Sequence, residues 1–165
     1  MRHIVLTLSM VALIAHPALA ETGDVKADTA TVKACLSKAG DDPQGCVGVI
    51  ANPCQDAPDG KSTQGIDACL DRELQAWDAI LNERYRTAMT AAKEVDERLQ
   101  AESGAEPSVA AALLKAQRAW IAFRDAECDR RYEFFKEGTI RTNIFYACVN
   151  ALTADRAIAL DPDRR

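Results

Sequence analysis

The sequence predicts an all-α protein, an antiparallel helical bundle or hairpin of long helices stapled by disulfides. Three observations carry this expectation. Apolar residues recur at helical intervals over two long stretches, no alternating strand pattern of useful length occurs, and six cysteines all lie beyond the N-terminal segment.

The N-terminus reads Met1-Arg2-His3, an apolar run from Ile4 to Ile14, and Ala18-Leu19-Ala20 before Glu21. A short basic start, an apolar stretch too brief to span a bilayer and small residues at a cleavage point predict a secretory signal over residues 1–20. No later segment approaches the roughly 20 apolar residues of a membrane span, so no transmembrane anchor is expected. A lipid-attachment cysteine would follow the cleavage point, where this chain has Glu21. The expected product is exported, periplasmic or secreted.

Cleavage there would leave 19 basic and 25 acidic residues, a charge of −6. That balance disfavours nucleic acid, whose phosphates demand clustered cations, and mildly favours a basic partner. It is also an ordinary solubility device. An even cysteine count in an exported chain predicts three disulfides among Cys35, Cys46, Cys54, Cys69, Cys128 and Cys148. No Cys-x-x-Cys pair occurs, and both histidines, His3 and His16, lie within the expected signal. Histidine-ligated zinc, Ser-His-Asp and Cys-His catalysis are therefore not expected, and neither metal nor cofactor is predicted.

Residues 21–28 are polar and read as a loose lead-in. Thr29 to Ala39 reads as a short helix ending at Gly40. Asp41-Asp42-Pro43 reads as a turn, Gln44 to Ala51 as one or two helical turns, and Asn52 to Lys61, with two prolines and a glycine, as irregular chain. Residues 21–61 thus form a cysteine-containing segment with little apolar mass, in need of covalent ties.

Ser62-Thr63 opens the main helix, and a helical domain is expected over 62–161. Ile66, Leu70, Leu74, Trp77, Leu81, Tyr85, Ala88, Ala92, Val95 and Leu99 advance by three or four residues over about nine turns, without glycine or proline between Gly65 and Gly104. Pro107 is placed to start a second helix, whose apolar side runs from Val109 through Leu113, Ala116, Trp120, Phe123, Cys128, Tyr132 and Phe135 up to Gly138. Thr142 opens a third, which stops at Asp161-Pro162.

Six cysteines allow 15 pairings. Two antiparallel helices turning near Gly138 would bring Cys128 and Cys148 level, each ten residues from the glycine. Cys54 with Cys69 would pin the irregular segment to the start of the long helix. Cys35 with Cys46 would then close a local loop.

Two stretches set polar residues at helical intervals beside tryptophans. Asp78 and Asn82 share a face near Trp77 and Tyr85. Gln117, Trp120 or Ile121, Arg124 and Cys128 share another, with Arg118 and Asp125 alongside. If the faces meet, Arg124 or Arg118 could clamp Asp78, with Asn82 capping the network. An interhelical lock that fixes register and a ligand or partner site are both open readings of this set.

The same residues carry a resemblance. Thr63-Gln64 with Cys69, Asp78 with Leu81-Asn82 and Tyr85, the run Ala116-Gln117-Arg118-Ala119-Trp120-Ile121 with Phe123-Arg124-Asp125-Ala126 and Cys128, and Cys148 with Leu152-Thr153 and Arg156 resemble the lysozyme-inhibitor LprI-like N-terminal domain. The likeness spans residues 63–160. It implies a helical, exported binding protein, with inhibition of lysozyme-type muramidases as its most concrete activity and lysozyme or another basic envelope protein as partner. A structural or interaction module of the cell envelope, binding a protein or a cell-wall component, is the alternative. Inhibition needs only a loop that plugs a sugar cleft, so the turns at 100–108 and 136–143 are the natural contacts. An enzyme is not expected. Carboxylates such as Glu73 and Asp78, or Glu127 and Asp129, read as solvated helix faces, and Ser37, Ser62, Ser103 and Ser108 lack a nucleophile-elbow setting.

Overall fold

A computed structural model describes residues 24–164 of the chain. The expected signal over residues 1–20 lies outside them. Five helices follow in order: α1 (Val25–Leu36), α2 (Ala51–Asp56), α3 (Thr63–Ser103), α4 (Val109–Phe134) and α5 (Arg141–Ala159). Among the described residues there is no strand, and no helix is long and apolar enough to cross a membrane.

The spine is α3. Its 41 residues span about 62 Å at 1.5 Å per residue. The Ser62 hydroxyl accepts from the backbone N–H of Gly65 at 3.0 Å, and Gly104 closes the other end in the left-handed region at φ 69°. Both ends fall where the sequence places them. α4 runs antiparallel to α3, and α5 returns parallel to it. Asn143 at the start of α5 donates to the Thr63 carbonyl at 2.9 Å, and Arg84 of α3 donates to the Ala157 carbonyl near the end of α5 at 2.8 Å.

One apolar core joins Ala76, Trp77, Ile80 and Leu81 of α3 to Ala154, Ala157 and Ile158 of α5. It also takes in Val32 of α1 with Cys46 and Ile50, so the N-terminal segment packs into the same core as the long helices. A smaller cluster forms around Cys128, Cys148 and Val149, with Leu74, Phe145 and Leu152 against it.

The three expected disulfides are the observed ones. Cys35–Cys46, Cys54–Cys69 and Cys128–Cys148 have Cα separations of 5.8, 5.6 and 5.5 Å. Gly60 and Gly65 let the chain after Cys54 lie tight against the start of α3. A Cβ on either would come within 2.1 Å of a backbone oxygen, that of Cys54 or of Asp59.

The N-terminal segment differs most from expectation. Residues 25–28 are helix, because Asp24 caps α1 by accepting from Lys26 and Ala27 at 2.9 and 3.3 Å. Asp28 is itself buried and is gripped by Arg72 of α3 through Nε and Nη2, at 2.6 and 2.7 Å. The helical turn expected over 44–51 is a short 3₁₀ turn at Pro43–Cys46. Helix α2 then lies where irregular chain was expected, with Pro53 in its first turn, where a missing N–H costs no helical bond. Further on, α4 begins two residues after Pro107 and stops at Phe134, before Gly138.

The start of α2 is held by a residue that reads from sequence as solvated. Glu73 of α3 is fully buried. Its carboxylate accepts from the backbone N–H groups of Gly48, Ile50 and Ala51 at 2.7, 2.9 and 2.8 Å, from the Trp77 indole at 3.2 Å and from Asn150 of α5 at 3.0 Å. Five donors offset the desolvation of one charge. Glu73→Ala strands all of them and is expected to cost roughly 3–5 kcal/mol in urea unfolding, with Glu73→Gln losing less because one acceptor remains. Equal stability of the Ala variant and the parent would contradict this assignment.

Candidate functional site

Gln117, Trp120, Arg124 and Cys128 lie on the inward side of α4, with Gln117 and Cys128 buried and Trp120 and Arg124 half-buried. Ile121 points away and is exposed, so Trp120 is the aromatic member of this face. Gln117 accepts from Arg156 Nε of α5 at 2.9 Å. The guanidinium carbons of Arg124 and Arg156 lie 5.2 and 5.9 Å from the Trp120 ring centre. Burial lowers the Arg156 pKa from its usual value, and the nearby Tyr85 of α3 acts in the opposite direction. The motif thus gathers Tyr85, Gln117, Trp120, Arg124 and Arg156 from three helices.

The clamp on Asp78 is not formed. Arg124 turns to its neighbour Asp125, at 2.9 and 2.8 Å, and Asp78 takes the Asn82 amide at 2.8 Å on an exposed face. Arg118 is exposed as well. Trp77, Ile80 and Leu81 set the buried side of α3, and Asp78 falls off that side. The ion pair with both side chains mostly buried is instead that of Arg84 on α3 with Asp161, just beyond the end of α5, at 2.6 Å. Arg84 was not singled out from sequence, and Glu73 was read there only as a solvated carboxylate. Arg156 was visible only as a motif position.

The two turns have different characters. At 100–108 the chain is tied back by Asp96, whose carboxylate accepts from Ser108, Val109 and Ala110 at 2.9, 2.8 and 2.9 Å and so caps α4. These backbone donors, Ala110 foremost, hold its pKa below the usual carboxylate range.

The turn between α4 and α5 exposes apolar side chains beside charged Lys136 and Glu137. Phe134 is 77% exposed, and Phe135 and Ile140 are exposed with it. The Phe134 and Phe135 rings meet edge to face at 5.1 Å. Beneath them the turn is braced. Arg141 donates to the Lys136 carbonyl at 2.7 Å and lies over Tyr132, Tyr132 meets Phe145 edge to face, and Cys128–Cys148 ties the helices. Arg130 and Arg131 are both drawn to Glu127, whose pKa these hydrogen bonds lower to about 2. The 26 residues of α4 separate the two turns by roughly 40 Å, so one narrow cleft can receive only one of them.

Among the described residues, no three His, Cys, Asp or Glu side chains are grouped to hold a metal ion. The molecule is thus a disulfide-tied helical domain whose motif residues brace three helices and whose most exposed aromatic among the described residues, Phe134, ends α4 at the turn. Residues 54–160 match the lysozyme inhibitor LprI family, and the chain belongs to that family. An uncharacterised protein of Rhizobium meliloti strain 1021 is 32% identical over 118 residues, which cover 70% of this chain and 85% of the relative. No solved structure matches the chain.

Two outcomes test these assignments. Arg156→Ala removes the Gln117 bond and one cation over Trp120 and is expected to cost about 1–2 kcal/mol in urea unfolding, while Arg124→Ala, whose bonds go to an exposed neighbour, costs less. The reverse order would refute the assignment. Because the Asp96 pKa is depressed on folding, its contribution is present above about pH 4 and fades as pH falls through the folded value. The gap in melting temperature between the parent and Asp96→Asn is expected to be full at pH 7 and to close toward pH 2.

Proposed function

We propose that this protein is an exported, non-catalytic binding protein that inhibits a lysozyme-type muramidase, with the α4–α5 turn as its contact. The exposure of Phe134 on a braced turn carries the reading. A large apolar side chain held out on a rigid support loses little conformational freedom on docking, which favours its use as an anchor. Family membership supplies the class of partner. Three disulfides suit an oxidising compartment outside the cytosol, in keeping with the N-terminal signal read from sequence. The acidic net charge suits a basic partner, whose association it would speed through steering.

A turbidity assay with lysozyme and the disulfide-bonded protein tests this. Slowed lysis is expected, weakening at high salt as steering is screened. Phe134→Asp is expected to reduce inhibition roughly tenfold or more without changing the helical signal in circular dichroism. Unchanged lysis at micromolar excess would end the inhibitor reading. Full inhibition by the variant would move the contact elsewhere.

A further inference from the structure

Helix α4 carries another apolar surface, on its outer side, well away from the α4–α5 turn. Ala112, Ala116, Ala119, Phe123 and Ala126 are all exposed and follow one another by four, three, four and three residues. That is the spacing of a helix–helix seam, and it faces solvent. Phe123 in its middle is 56% exposed. Along one flank of the seam Lys115, Ala122 and Asp129 recur every seventh residue, with Arg118 beside the first and Asp125 and Glu133 toward the last. The flank is therefore cationic in its N-terminal half and anionic in its C-terminal half. Among the described residues, Lys115, Arg118 and Asp129 make no ion pair.

We propose that a second copy of this chain docks along this face, α4 against α4 in antiparallel orientation. The flanking charges select both occupant and orientation. When Ala116 meets Ala126 of the second copy and Ala119 meets its Phe123, the same register sets Lys115 opposite Asp129 and Arg118 near Asp125, and two-fold symmetry repeats each pair. In a parallel pairing the two charged flanks would lie on opposite sides of the seam, so Lys115 and Asp129 would not meet. The alanines permit close approach of the two helix axes, and Phe123 fills the space that they leave. Arg130, held by Glu127, ends the seam.

Sedimentation velocity on the disulfide-bonded protein, from low to high micromolar concentration, tests the proposal. A reversible dimer is expected, and Ala119→Arg should abolish it while leaving the helical signal unchanged. Lys115→Glu and Asp129→Lys are each expected to weaken the dimer by roughly fivefold, and the two together to restore it, since the swap rebuilds both pairs with reversed sign. A monomer at every concentration, or a dimer that survives Ala119→Arg, would overturn the proposal. A double variant weaker than either single one would overturn the antiparallel register and the proposal with it.

Discussion

Glu73 stands where three parts of the chain meet. Its carboxylate ends the loop before α2, holds the indole of the largest core residue and reaches Asn150 on α5. A buried charge is tolerated only when donors surround it, and donors from separate segments can surround it only when those segments are already packed. The core around Trp77 and the docking of the N-terminal segment are therefore one event. Cys54–Cys69, one helical turn before Glu73, makes that docking covalent. The family match begins at residue 54, yet the backbone donors to Glu73 lie at 48–51, and Val32 and Cys46 belong to the same core. In this chain the folding unit reaches further toward the N-terminus than the family match does.

The long helices and the cysteine pairing were legible because each depends on spacing. Apolar recurrence in α3 and the symmetric placement of Cys128 and Cys148 about Gly138 are local arithmetic that survives in the fold. The polar interior was not legible. Glu73, Asp28 and Asp96 look from sequence like any solvated carboxylate, and nothing in their near neighbours announces a partner 12 to 77 residues away. Helix α2 was missed for the same reason, since a six-residue helix with a proline has weak local signals and its N-terminal donors are satisfied by Glu73. At the candidate site, the inward face of α4 was legible as a face. Arg124 and Asp78 are not brought together, because the register between helices, which spacing along each one does not contain, decides which cation meets which anion.

The shared motif and the exposed turn divide the work of the molecule. Tyr85, Gln117, Trp120 and Arg156 fix the mutual positions of α3, α4 and α5, and Cys128–Cys148 ties the C-terminal part of α4 to the N-terminal half of α5. What projects beyond them is short and braced, with exposed Phe134 at its edge. A rigid frame with a small presented surface suits the proposed inhibition, which would work by occupying a cleft.

No histidine lies between residues 24 and 164. Of the ordinary side chains, only histidine changes charge between about pH 5 and 8, so this part of the molecule keeps a nearly constant surface potential across that range. Asp96, Glu83 and Glu127, all with lowered pKa values, stay ionised into more acidic conditions still. Between about pH 5 and 8 its electrostatic character thus holds, and ionic strength is the variable to which its encounters respond.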